Sequence, residues 1–155
     1  MTEVARIQKQ LRRAWEGPAW HGPALNEILT GVRWQTAAAR PIPGAHTIWE
    51  IVLHLTVWMS VPARRLKGAE VPTPPPAEDW PAPPEPTEAA WRRALDQLTQ
   101  AQHSLEFEVG ALTDERLREK VLGEVPHSIY TMLHGVVQHN LYHAGQIALL
   151  KKSAG

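Results

Sequence analysis

Cysteine is absent from the 155 residues, which excludes disulfides, cysteine-ligated zinc and a cysteine nucleophile, and leaves the chain no need of an oxidising compartment. Neither sign of charge is in excess: sixteen Lys and Arg face sixteen Asp and Glu. The basic footprint of a protein that follows a phosphate backbone is therefore missing, and nucleic acid is not an expected partner. No run of about 18 apolar residues occurs and no helical stretch carries a strongly basic face, so neither a membrane span nor a membrane-surface helix is expected. The first residues, MTEVARIQKQLRRAWEG, interleave charged and apolar side chains where a secretory signal would carry an apolar block. These absences predict a soluble, cytoplasmic protein. With 43% hydrophobic residues, the chain has the material for one globular domain over residues 1–155.

Phenylalanine and tyrosine are scarce, one and two residues, so the aromatic content rests on seven tryptophans. Proline is abundant but uneven: eight of the fourteen lie between Pro72 and Pro86, in VPTPPPAEDWPAPPEP. That segment predicts an extended, polyproline-like loop over about residues 67–86, without helix. It would serve as a spacer between helices, or as a lid whose Trp80 covers a pocket.

Elsewhere the periodicity is helical, and no alternation of apolar and polar residues is long enough for a sheet, which predicts an all-α fold. Val4, Ile7, Leu11 and Trp15 place a first helix over about Thr2 to Trp15, and a second piece starts near Pro23; GPAWHGP leaves open whether the two are one interrupted helix or two. Thr47-Ile48-Trp49-Glu50 has the form of a capping box and opens a helix to about Leu66, with a kink or an early end at Pro62. Thr87 caps a third long helix that reaches Gly110, and a short helical turn follows over Thr113 to Arg118. The last helix starts at Ser128 and closes on Lys151 and Lys152, placed at the negative end of its dipole. Four long helical segments suggest a four-helix bundle.

The residues that could carry chemistry are histidines, eight in all. His139 and His143 are four apart, about 40° on a helical wheel, as two ligands of one ion require. Met132 and Leu150 lie about 20° from His139, with Val136, Ile129 and Ile147 on the same stripe, so the pair faces the core. Imidazoles on an apolar stripe need partners, and a divalent metal satisfies their lone pairs. His54, in WEIVLHLTVW among apolar neighbours, is the best third ligand. Three histidines leave open positions for water or substrate, as a catalytic metal does. The alternative is that His54 hydrogen-bonds a carbonyl and the pair is neutral and partly exposed. His134 lies about 140° from His139 and reads as a surface or interface residue. His46 and His127 read as turn residues and His103 as solvated, while His21 lies in an irregular segment able to fold back toward a pocket.

The pair WEIVLHLTVW and LHGVVQHNLYHAGQIALLKK, separated by a Pro-rich loop and a Trp-bearing helix, resembles the DinB/YfiT-like superfamily of metal-dependent enzymes. The resemblance covers nearly the whole chain, from RAWEGPAWHGPAL to the closing helix, and the ending H-x-x-x-H-x-G-Q-I is a fairly specific feature. It implies a four-helix bundle of up-down-down-up topology, often a homodimer, with a metal held by one histidine of the second bundle helix and two of the last. Those positions fall on His54, His139 and His143. It implies thiol-dependent transfer or isomerisation with a low-molecular-weight thiol, or hydrolysis.

The expected function is a metal-dependent transferase or hydrolase acting on a small molecule, in which an ion on three neutral imidazoles lowers the pKa of a water or thiol. With no cysteine in the chain, any thiol is a cosubstrate. Three imidazoles suit zinc first and nickel second; calcium and magnesium prefer oxygen ligands. Glu50, one turn before His54, is the candidate base or orienter, or else only the capping partner of Thr47. Tyr142 and Gln146 flank the pair and could bond substrate or a ligand, and Trp58 could wall the pocket or belong to the core. The alternative is a non-catalytic dimeric binding domain with a vestigial metal site, its tryptophans serving protein contact.

Overall fold

Apolar residues three and four apart carry four long helices in the computed structural model of the chain, whose described residues are 1–123 and 126–154. Helix α1, Glu3–Glu16, buries Val4, Ile7, Leu11, Ala14 and Trp15. Its free amides are met from two directions: Thr2 accepts the Ala5 N–H, and the distant Asp114 carboxylate accepts those of Glu3 and Val4, each at 2.9 Å. Two short helices follow, α2 over Leu25–Leu29 and α3 over Trp34–Ala38. The first helix and the piece after Pro23 are thus separate, and α3, only five residues long, had no sequence signal.

Helix α4, Ile48–Leu66, opens on the expected capping box, with Glu50 N–H donating to Thr47 Oγ1 at 3.1 Å and Thr47 N–H to Glu50 Oε2 at 2.7 Å. Pro62 does not end it. Val61, Pro62, Ala63, Arg65 and Leu66 are all buried, and packing of that face outweighs the one backbone bond proline removes. The Pro-rich segment corrects an expectation, since it contains a helical turn, α5, over Pro76–Asp79. Pro75 is its N-cap and Pro76 its first residue, where no backbone N–H is needed and the fixed φ is already helical.

Helix α6, Glu88–Gly110, starts from Thr87, which accepts the Ala90 N–H. The expected turn after it is a 3-10 helix, Arg116–Arg118. Helix α7, Ile129–Ser153, is capped by Ser128. At its far end the Lys151 ammonium donates to the carbonyls of Ile28 and Thr30, at 2.8 and 2.9 Å, so it ties α7 to the end of α2 as well as meeting its own dipole.

The architecture is all-α, with no strand among the described residues. Helices α1 and α4 each pack on both α6 and α7, and α2 packs on α1 and α7. Their apolar faces meet in one core that includes Leu11, Trp49, Leu55, Leu98, Leu105, Leu133 and Ile147. The α4–α7 contact brings the histidine-bearing faces together. Among the described residues no helix is long and apolar enough to cross a membrane.

Candidate metal centre

His54 from α4 and His143 from α7 are buried, at 5% and 4% exposure, and His139 is half-buried beside them. Their ligand nitrogens all lie within 4.8 Å of one another. His139 Nε2 stands 2.9 Å from His54 Nε2 and 3.1 Å from His143 Nε2.

The outer nitrogens decide what these contacts are. His54 Nδ1 faces the carbonyl oxygen of Asp79 at 2.7 Å and its carboxylate Oδ1 at 3.1 Å, both acceptors, so Nδ1 carries the proton and Nε2 keeps its lone pair. His143 Nδ1 donates to Gln146 Oε1 at 2.6 Å, which fixes the same tautomer. Two lone pairs therefore converge on His139 Nε2, and one proton there could satisfy only one of them. His139 Nδ1 is buried with no partner among the described residues. A cation placed between the three nitrogens resolves this conflict. Separations of 2.9 and 3.1 Å are within a few tenths of an ångström of the roughly 3.3 Å between two imidazole nitrogens that share a tetrahedral ion at about 2.0–2.1 Å.

Burial, then the neighbouring His143 and His54, push the His139 imidazole down to about 4. Burial also pushes His143 below its ordinary value, although the Gln146 hydrogen bond pulls the other way. Both are neutral at pH 7, the form that binds a metal.

A family model, that of the DinB superfamily, matches residues 20–147. The chain belongs to the DinB superfamily. The match takes in all three histidines and the strap between α4 and α6; no curated protein and no solved structure gave a match.

In this DinB-superfamily chain the aromatic surroundings were only partly foreseen. Trp80 lies flat on His54, with ring centroids 3.8 Å apart and planes 4° apart, and its other face stacks on His46 at 3.6 Å. Of the two readings of the Pro-rich segment, the geometry matches the cover. His46, expected to be only a turn residue, is therefore part of the surroundings. Trp58 is half-buried, 6.0 Å from His139 by ring centroid, and donates its Nε1–H to Asp79 Oδ1 at 2.6 Å, so it walls the site. Tyr142 meets His143 edge-on at 5.0 Å while remaining 65% exposed.

Glu50 is placed differently from the histidines. Its oxygens are engaged by the Thr47 N–H, by Arg40 at 2.7 Å and by His46 at 3.4 Å, and it has no hydrogen bond to His54, His139 or His143. Burial raises its pKa, but the Thr47 hydrogen bond and the Arg40 and His46 charges outweigh that and hold it below the ordinary value. His21 is exposed in a cleft with Trp20, Val137 and Leu141, away from the cluster. His103 is exposed, and His134 packs on Tyr130. Sequence reasoning missed Asp79 altogether.

Proposed function

We propose that the protein is a metal-dependent enzyme in which His54, His139 and His143 hold a divalent transition metal, zinc first and nickel second, and which acts on a small molecule by hydrolysis or by transfer from a low-molecular-weight thiol. The carrying observation is the convergence of three imidazole nitrogens with two of the three outer nitrogens held by acceptors. An ion bound there supplies Lewis acidity to a water or thiol. The chain's own residues do the rest: Gln146 and Asp79 hold the imidazole tautomers, and Trp80 excludes water from one flank of His54. Glu50 enters in the orienting role, fixing His46 against Trp80. The reading includes one up-down-down-up bundle domain, supported by the packing of α1 and α4 on both α6 and α7.

Elemental analysis of untagged protein purified without chelator tests the centre. A near-stoichiometric transition metal is expected in the wild type, and its loss in a His139→Ala/His143→Ala variant that keeps its helicity by circular dichroism. A wild type that carries no metal and takes up neither zinc nor nickel sinks the reading.

A second reading, a non-catalytic homodimeric binding domain, draws support from the exposed Tyr142 and Leu149 on α7. It requires association that survives metal removal.

A further inference from the structure

Consecutive residues of the strap grip one histidine. Asp79 presents two acceptors to His54 Nδ1, its carbonyl oxygen at 2.7 Å and Oδ1 at 3.1 Å, and Oδ1 also accepts the Trp58 indole N–H at 2.6 Å. Trp80 then covers the face of the same ring at 3.8 Å. The turn of α5 makes this possible. The amides of Glu78 and Asp79 donate to the Pro75 carbonyl at 2.9 and 2.8 Å, and that of Trp80 to the Pro76 carbonyl at 3.0 Å, which aims both side chains inward from a segment with no buried residue of its own.

An imidazole whose Nδ1–H is held by a carboxylate is fixed in orientation and made more basic at Nε2. Asp79 thus sets the tautomer and direction of the only cluster histidine contributed by α4. We propose that the Asp79 carboxylate is the positioning group of the metal centre, presented by the Pro-rich strap so that it adds to the backbone carbonyl, which any residue at this position supplies, in holding His54 by Nδ1 while Trp80 closes that flank. The proposal rests on the metal-binding reading above.

The test is a zinc competition titration against a chromophoric chelator, with the cobalt(II) absorption band as a second readout. Asp79→Ala is expected to weaken zinc binding about 10–100-fold and to move the cobalt band. Asp79→Asn, which keeps an amide oxygen as acceptor, is expected to lose less. Glu78→Gln, an exposed neighbour on α5, is expected to match the wild type in both readouts. If metal-free Asp79→Ala fails to fold, Asp79→Asn carries the decision. Binding within about twofold of the wild type by the folded Asp79 variants, with metal lost in His139→Ala, overturns the positioning role alone. A wild type that binds no metal overturns this role and the metal reading together.

Discussion

Asn140 is 1% exposed in the middle of α7, and neither its amide nitrogen nor its oxygen has a partner among the described residues. A buried amide with unmet bonds costs about 1–3 kcal/mol, whereas an apolar side chain of similar size costs nothing of the kind. Asn140→Leu is therefore expected to raise the thermal midpoint by about 2–12 °C, since about 1 kcal/mol moves a chain of this size by about 2–4 °C. A lower midpoint in differential scanning calorimetry would mean that the amide is satisfied, for example by an internal water. Residue-level legibility divides along the same lines as burial. The three histidines could be read because a helix fixes its side-chain directions: once His139 and His143 share a stripe with Met132 and Val136, both must face inward. Asp79 could not be read, because a carboxylate in a proline-rich segment has no periodicity to say which way it points. His46 was hidden for the same reason, its role being created by Trp80 from 34 positions further along the chain.

Elements show where local signals suffice and where packing overrides them. Thr47, Thr87 and Ser128 marked their helix starts correctly because a cap bonds within its own first turn. The prolines around α5 misled, and Pro62 does not end α4, because tertiary context decides whether a proline interrupts a helix or begins one. The start of α1 combines both cases, since two of its three capped amides are met by Asp114, more than a hundred residues away. The Val4 and Glu3 amides hold the Asp114 carboxyl below its ordinary value of 3.8. A carboxyl depressed in the folded state contributes stability that is fully present above its unfolded value and is lost as pH falls through the folded one. Asp114→Ala should therefore unfold at a lower temperature than the wild type at pH 7, and the gap should narrow below about pH 4. A gap that stays constant down to pH 2 would show that the contact is not electrostatic in origin.

At the scale of the whole molecule, helical content and the number of long helices were legible from periodicity, whereas the mutual packing was not, because single-helix patterns do not say which neighbour a face will meet. That packing assigns the two halves of the centre to distant parts of the chain: His54 and His139 stand 85 residues apart. Helices form within about a microsecond, but a long loop must close before such distant residues meet. The binding point therefore cannot exist in any partly folded species that has its helices but lacks the α4–α7 contact. In stopped-flow refolding, recovery of far-ultraviolet ellipticity should precede the capture of zinc from a coloured indicator; simultaneous phases would mean that helix formation and docking are one event. On the metal-binding reading proposed above, zinc uptake becomes a clock for the closure of the α4–α7 contact, and a newly made copy would stay empty until α7 had docked.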